Sequence, residues 1–220
     1  MHTLTLAADR RRLFQLDVRC PQTPVVANAL SLFNEELAEA GIAAEPADEA
    51  TGRIVLAEHA GRARPNDQGF ALATDTDGDA WTLEVTADGE RGLLYALCEL
   101  LDRAESRVGR LVLPPGDGRV EPDVTHRATE RHWGPPFRDA EANIRLIRLL
   151  ARRRVNALCW IDSYIHPGWY RFLTFEHFPP LRIQPDAELA AQRDSMRRIV
   201  AAARDWGMDF YLGCTEFNVP

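Results

Sequence analysis

The second half of the sequence alternates strand and helix candidates, and this order restricts the fold more than any other feature. Strands are predicted for VTHRATERHW, VNALCWID and MDFYLGCTEF, and helices for RDAEANIRLIRLLARRR and PDAELAAQRDSMRRIVAAARDWG. The later strands are almost continuously apolar, which is typical of strands buried on both faces of a parallel sheet. The sequence therefore predicts an α/β unit of three parallel strands with helices packed outside.

Two parallel architectures fit these five elements. They could form a small open sheet, or they could be the opening of a (β/α)8 barrel, which needs about 250 residues in full. Both architectures bind ligands beyond the carboxyl ends of their strands. We therefore expect functional residues directly after each predicted strand.

Polar and aromatic residues follow all three predicted strands. They are Glu130, Arg131, His132 and Trp133 after the first strand, Trp160, Asp162, Ser163, Tyr164, His166 and Trp169 around the end of the second, and Glu216 and Asn218 after the third. Carboxylates and arginine bind vicinal hydroxyls through paired, charge-assisted hydrogen bonds. Flat aromatic faces can cover the apolar side of a pyranose ring. The mixture therefore predicts a saccharide site, with Arg131, Asp162, Trp169, Glu216 and Asn218 as candidate substrate-binding residues.

A structural role for some of these residues is the alternative interpretation. Trp160 lies within an apolar strand, which favours the core over a sugar platform. Glu130 and Arg131 could pair with each other, and Trp169 could fix its own loop. The argument for a saccharide site therefore depends on three clusters at successive strand ends.

The first half of the sequence predicts a smaller α+β domain. Helices are predicted for TPVVANALSLFNEELAEAGI and GERGLLYALCELLDRAES, and strands for RRLFQLDVR, GRIVLAEHA, GFALAT, AWTLEVTA and GRLVLPPGDG. Two helices could cover one face of a mostly antiparallel or mixed sheet. The run PPGDGRVEPD is rich in proline and glycine and is predicted to be a linker. The predicted domains are residues 1–113 and 125–220, with the linker at 114–124.

Composition narrows the class of protein. The formal net charge of −7 argues against nucleic-acid binding, and the triplets Arg10–Arg12 and Arg152–Arg154 are predicted to be solvated surface. The four cysteines form no CxxC pair and no HExxH occurs, so we predict neither a metal site nor a cofactor. No apolar run approaches the roughly 20 residues that cross a bilayer. The start has no apolar stretch ahead of its charges, which argues against a signal peptide and favours a cytoplasmic location. The sequence leaves the oligomeric state open.

Several segments resemble the family 20 glycoside hydrolases, the β-N-acetylhexosaminidases, and more loosely the α-glucuronidases. WTLEVTADGERGLLYALCELLDRA is similar to the final strand and helix of the metal-free, zincin-like domain that precedes the catalytic barrel in that family. In the barrel, RHW resembles the Arg-His-aromatic after the first strand, and RRRVNALCWID resembles a Lys-x-Asn motif that opens the second. AAARDWGMDFYLGCTEFNVP is similar to the third unit, which ends Glu-x-Asp-x-Pro-Gly-His.

The resemblance implies a fold and roles for three residues. The fold is α/β: a hexosaminidase-type N-terminal domain with two helices on a mixed sheet, followed by the first three β/α units of an incomplete (β/α)8 TIM barrel. Arg131 would hold sugar hydroxyls, Asp162 would belong to the supporting polar network, and Glu216 would lie at the rim of the third strand.

The chain departs from the family pattern at several positions. The acidic pair of the family is here Asp162 followed by Ser163, and the aspartate of its third strand is Asn218. Cys159 and Ile161 replace the histidines of the second strand. The aromatic-rich insert SYIHPGWYRFLTFEHFPPLRIQ has no counterpart in the pattern. These departures bear on specificity for N-acetylhexosamines.

The family places its catalytic Asp-Glu pair after the fourth barrel strand, where it acts with the acetamido group of the substrate. The sequence contains no fourth strand candidate in its second half, so the catalytic acid/base pair is expected beyond Pro220. We therefore expect the N-terminal portion of a glycoside hydrolase that acts on oligo- or polysaccharides and is inactive by itself. The alternatives are a non-catalytic carbohydrate-binding or scaffold protein and an α-glucuronidase-like hydrolase.

Overall fold

The computed structural model describes residues 3–59, 67–114, 116–132, 139–162 and 186–214. The helices are α1 Pro24–Glu39, α2 Glu90–Arg103, α3 Ala140–Arg152 and α4 Asp186–Asp205. The strands are β1 Leu4–Ala8, β2 Arg11–Arg12, β3 Phe14–Val18, β4 Gly52–Glu58, β5 Phe70–Asp77, β6 Ala80–Ala87, β7 Glu105–Arg107, β8 Arg110–Leu113, β9 Gly118–Val120, β10 Ala128–His132, β11 Ala157–Asp162 and β12 Asp209–Cys214. The chain divides into two compact units, Met1–Thr125 and His126–Pro220.

The larger sheet of the first unit is mixed and has the order β3-β4-β6-β5-β9. Strands β3, β4 and β6 are parallel, whereas β5 runs antiparallel to β6. Helix α2 packs against this sheet and α1 packs against α2, which confirms the predicted pair of helices on a mixed sheet. Thr23 caps α1, because its Oγ1 accepts a hydrogen bond from Val26 N at 3.3 Å and Pro24 occupies the first helical position. Val26, Phe33 and Leu97 are buried in this core.

A second, four-stranded sheet of the first unit has the order β2-β1-β8-β7 and was not predicted. All its pairs are antiparallel. The prediction of a single strand at RRLFQLDVR is wrong. The segment divides at Leu13 into β2 and β3, which belong to different sheets. The prediction that Arg12 is a solvated surface residue is also wrong, because Arg12 is only 6% exposed.

The segment predicted to be a linker contributes a strand to the first unit. Within it, β9 pairs antiparallel with β5, and the Asp117 carboxylate accepts a hydrogen bond from Thr74 N at 2.7 Å. Arg119 forms an ion pair with Asp88, which is almost completely buried. The buried Gln68 donates a hydrogen bond to Thr125 O at 3.0 Å. These contacts join residues 117–125 to the first unit.

The second unit contains the predicted strand–helix–strand–helix–strand order. Strands β10, β11 and β12 are parallel and lie side by side in chain order. Asp139 caps α3 as predicted, since its side chain accepts a hydrogen bond from Ala142 N at 3.0 Å. Helix α4 packs against β12 and α3 packs against α4. No helix in the described part of the chain combines the length and apolar character that a bilayer span requires.

Candidate functional site

The carboxyl ends of β10, β11 and β12 lie at one edge of the parallel sheet. Arg131 is the penultimate residue of β10 and is in register with Trp160, and Asp162 is the last residue of β11 and is in register with Cys214. The backbone therefore brings Arg131 and Asp162 to the same edge on adjacent strands. The other predicted site residues, Trp169, Glu216 and Asn218, lie outside the described residues, as does the aromatic-rich insert.

One face of the parallel sheet is packed. Leu158 and Trp160 are each 1% exposed, and the rings of Trp160 and Phe210 meet edge-on with their centroids 5.3 Å apart. Ile147 of α3 and Ile199 of α4 are fully buried in the same unit. The burial of Trp160 confirms its interpretation as a core residue.

The opposite face carries a row of three polar side chains that the sequence did not reveal as a set. Glu130 is in register with Cys159, and Cys159 is in register with Tyr211, so a carboxylate, a thiol and a phenol lie across adjacent strands. Glu130 is exposed, Cys159 is half-buried and Tyr211 is 48% exposed. Side chains alternate between the two faces of a strand, so the sequence alone predicts that Cys159 lies on the face opposite Trp160. Pairing it with Tyr211 requires the register, which only the structure supplies.

The amino ends of the same strands are tied together by Asn156, a residue that sequence reasoning noted only within a motif. Asn156 is 1% exposed, and its Oδ1 accepts a hydrogen bond from Arg127 N at 2.7 Å. Its backbone N–H donates to Arg127 O at 3.1 Å, and its carbonyl accepts from Asp209 N at 2.8 Å. Arg127 Nε also donates to Arg154 O at 2.7 Å. Asn156 therefore fixes the relative register of three strands at the end opposite the candidate site.

The described residues contain no group of three histidine, cysteine or carboxylate side chains that could hold a metal ion. The described side chains at the sheet offer instead a carboxylate, a thiol and a phenol, on Glu130, Cys159 and Tyr211. Such groups donate and accept hydrogen bonds with a polyhydroxylated ligand.

Comparison with known proteins identifies the class of fold. No family model matches the sequence, and no curated protein matches it. Solved structures of glycoside hydrolases do match. A GH138 enzyme targeting pectin rhamnogalacturonan II is similar over 93% of this chain and 25% of its own, with a TM-score of 0.72 and 16% identity.

Two family 20 enzymes give the same result. The chitobiase of Flavobacterium johnsoniae is similar over 96% of this chain and 32% of its own, with a TM-score of 0.62 and 15% identity. The β-N-acetylhexosaminidase of Bacteroides fragilis NCTC 9343 is similar over 96% of this chain and 41% of its own, with a TM-score of 0.57 and 16% identity. The chain thus shares its fold with part of several glycoside hydrolases, among them family 20 enzymes. It spans between a quarter and about two fifths of their length.

Proposed function

We propose that these 220 residues are the N-terminal portion of a glycoside hydrolase that acts on oligo- or polysaccharides and is similar to the β-N-acetylhexosaminidases. In this proposal the first unit is the hexosaminidase-type, zincin-like domain, and the second unit is the opening of a (β/α)8 TIM barrel. One observation carries the proposal: β10, β11 and β12 are parallel neighbours in chain order, so residues after successive strands meet at one edge. The fold shared with glycoside hydrolases supports it.

The substrate-binding residues follow from this placement. Arg131 would donate paired hydrogen bonds to vicinal hydroxyls, because a guanidinium is a planar fork of donors. Asp162, Glu216 and Asn218 would accept or donate the remaining hydrogen bonds, and Trp169 would cover the apolar side of a sugar ring. Glu130, Cys159 and Tyr211, on the face opposite Trp160, would extend this polar surface away from the carboxyl ends of the strands.

Hydrolysis requires a general acid that protonates the leaving oxygen, and substrate-assisted enzymes add a residue that orients the acetamido group. We place both residues beyond Pro220, after a fourth barrel strand. The 220-residue chain would therefore bind a saccharide without cleaving it. The three similar structures described above are longer than this chain, which supports the same interpretation.

Binding and cleavage by the purified chain test the proposal together. We expect chitobiose to bind with a millimolar dissociation constant in a calorimetric or NMR titration, and we expect no release of nitrophenol from an aryl N-acetyl-β-glucosaminide. Arg131→Ala should weaken chitobiose binding by roughly tenfold or more, as expected for a lost charge-assisted pair of hydrogen bonds. Arg145→Ala is the matched control, because Arg145 is exposed on α3.

The alternatives give different results in the same assays. Cleavage by the chain that Glu216→Gln abolishes would contradict the placement of the acid beyond Pro220. Stronger binding of glucuronides than of chitobiose would favour an α-glucuronidase-like enzyme. Equal affinities for chitobiose in the Arg131→Ala and Arg145→Ala variants would remove Arg131 from the site.

A further inference from the structure

The first unit contains a cleft that the proposed function does not use. It has a volume of about 290 Å³ and runs along β1, with the tip of the β5–β6 hairpin and Arg110 of β8 as further lining. This volume is near the lower end of the roughly 300–1,000 Å³ that is usual for small-molecule pockets. The cleft therefore has room for a ligand of one or two rings.

The apolar wall of the cleft is held in a fixed position. Trp81 lines the cleft and is 7% exposed. Its ring lies directly over Gly52, where any side chain would overlap the indole, and its centroid is 6.4 Å from that of Phe14. Trp81 N also donates a hydrogen bond to Thr51 O at 3.3 Å. A ligand would thus meet a wall that does not need to rearrange, which lowers the entropic cost of binding.

The polar lining includes one carboxylate and one guanidinium. Asp79 lies in a two-residue hairpin turn, where Gly78 has φ 61°, a conformation that favours glycine. Arg110 lies at the start of β8. Among the described residues, neither the Asp79 carboxylate nor the Arg110 guanidinium has a hydrogen-bond or ion-pair partner.

Asp79 and Arg110 differ in this respect from other charged residues of the first unit. Arg11, Arg53 and Arg107 each form an ion pair with a nearby carboxylate. Arg107 and Arg110 are in register across the β7–β8 hairpin, and only Arg107 is paired with a carboxylate among the described residues. The donors of Arg110 are therefore available to a ligand.

The composition of the lining selects the ligand. Four threonines add hydroxyl groups that donate and accept hydrogen bonds: Thr3, Thr5, Thr51 and Thr76. One acidic and one basic side chain leave the lining with no net charge, so neither an anion nor a cation gains a net attraction from it. We propose that this cleft binds a neutral saccharide of one or two pyranose rings and is a binding site separate from the one in the second unit.

The test is a titration of the 220-residue protein with cellobiose and methyl β-D-glucopyranoside, followed by amide NMR shifts. We expect saturable binding with shifts at the β5–β6 hairpin. Asp79→Ala and Arg110→Ala should each weaken binding by at least roughly tenfold, as expected when charge-assisted hydrogen bonds are lost. The matched controls are Asp77→Ala, two residues before Asp79, and Arg107→Ala, opposite Arg110 in the β7–β8 hairpin.

Three results would each overturn the proposal. The first is that neither sugar binds saturably. The second is an equal loss of affinity in the test and control variants, and the third is tighter binding of inorganic phosphate or glucuronate than of cellobiose. Arg131→Ala separates the two sites. A loss of cellobiose binding in that variant alone would place the sugar in the second unit, whereas unchanged binding supports the cleft, whether or not the proposed hydrolase site exists.

Discussion

Gly52 is a residue whose missing side chain shapes its surroundings. The indole of Trp81 occupies the space that a methyl group at this position would need, and both residues are buried. A tightly packed interior has no room to absorb such an overlap without moving the strand or the ring. The glycine is therefore required by close packing rather than by a turn.

Gly52→Ala should lower the free energy of unfolding by about 1–3 kcal/mol, the usual cost of overpacking a core. Urea denaturation followed by circular dichroism measures this change. The same substitution in a Trp81→Leu background is the control, because the smaller side chain leaves space for the methyl group. An equal cost in both backgrounds would show that the collision is not the cause.

Arg12 shows why a charge cluster is a poor guide to exposure. The triplet was predicted to be solvated, yet Arg12 Nη1 donates to Ala44 O at 2.8 Å and to Asn34 Oδ1 at 3.2 Å. Its guanidinium also lies 4.2 Å from the ring centroid of Phe14. Burial lowers the pKa of Arg12 from its usual value, while the nearby Glu45 acts in the opposite direction. A backbone carbonyl distant in sequence is one of its partners, which residue composition does not reveal.

At the scale of elements, β3 and β4 are joined by an ion-pair cluster at the surface. Asp17 of β3 contacts Arg53 of β4 and also Arg19, which follows β3, at 2.8 Å. The hydrogen bond from Arg19 is the main cause of a lowered pKa for Asp17, and Arg53 lowers it further. The charged carboxylate is thus more favourable in the folded chain than in the unfolded chain.

The lowered pKa of Asp17 predicts how stability changes with pH. A carboxyl with a lowered folded pKa contributes stability above its unfolded value, near 3.9, and loses that contribution as the pH falls through the folded value. The wild type should therefore be more stable than Asp17→Asn at pH 7, and the difference should disappear at pH values below the folded pKa. Urea titrations across this range measure it, and it should be small because exposed pairs contribute little. A difference that persists in an Arg19→Gln/Arg53→Gln background would contradict the ion-pair origin.

The elements differ in how well the sequence predicts them. All four helices among the described residues were predicted, because their apolar positions recur with the helical period. Strands β4, β11 and β12 were predicted from apolar runs, whereas β10, whose sequence is ATERH, contains no such run. In contrast, β7 and β9 are three residues long and exposed, so no hydrophobic period marks them. Strand β1 pairs with β8, more than 100 positions along the chain, and such a pairing leaves no local signal.

The candidate site was predictable to a similar extent. The positions of Arg131 and Asp162 at one edge follow from the strand–helix–strand order of the second half of the sequence, because parallel strands end at the same edge of a sheet. The alignment of Glu130, Cys159 and Tyr211 is set by the register between strands. Asp79 and Arg110 line one cleft because the β5–β6 hairpin of one sheet lies near β8 of another. Both arrangements arise from contacts between residues distant in sequence, so the sequence alone does not predict them.

At the scale of the whole molecule, each compact unit has a core of its own. Phe33 and Leu97 are buried in the first unit, and Ile147 and Trp160 are buried in the second. Separate cores of this kind can open with different free energies. Substitutions should therefore act on the unit that contains them.

Asn156→Ala should destabilise the second unit by about 1–3 kcal/mol, because it leaves the Arg127 N–H without its acceptor in a partly buried position. Hydrogen exchange measured by mass spectrometry should show faster exchange in α3 and β11 and unchanged exchange in α2. Gly52→Ala should produce the opposite pattern. Equal acceleration of α2 and α3 in either variant would show that the two units unfold as one.

The hydrogen bonds of Asn156 also affect which parts of the second unit can tolerate substitution. It holds the three strands at their amino ends, so substitutions at the other end leave the alignment of the sheet intact. Residues at the carboxyl ends could then change while the three strands stay aligned, so that stability and surface chemistry would be encoded at opposite ends of the same strands.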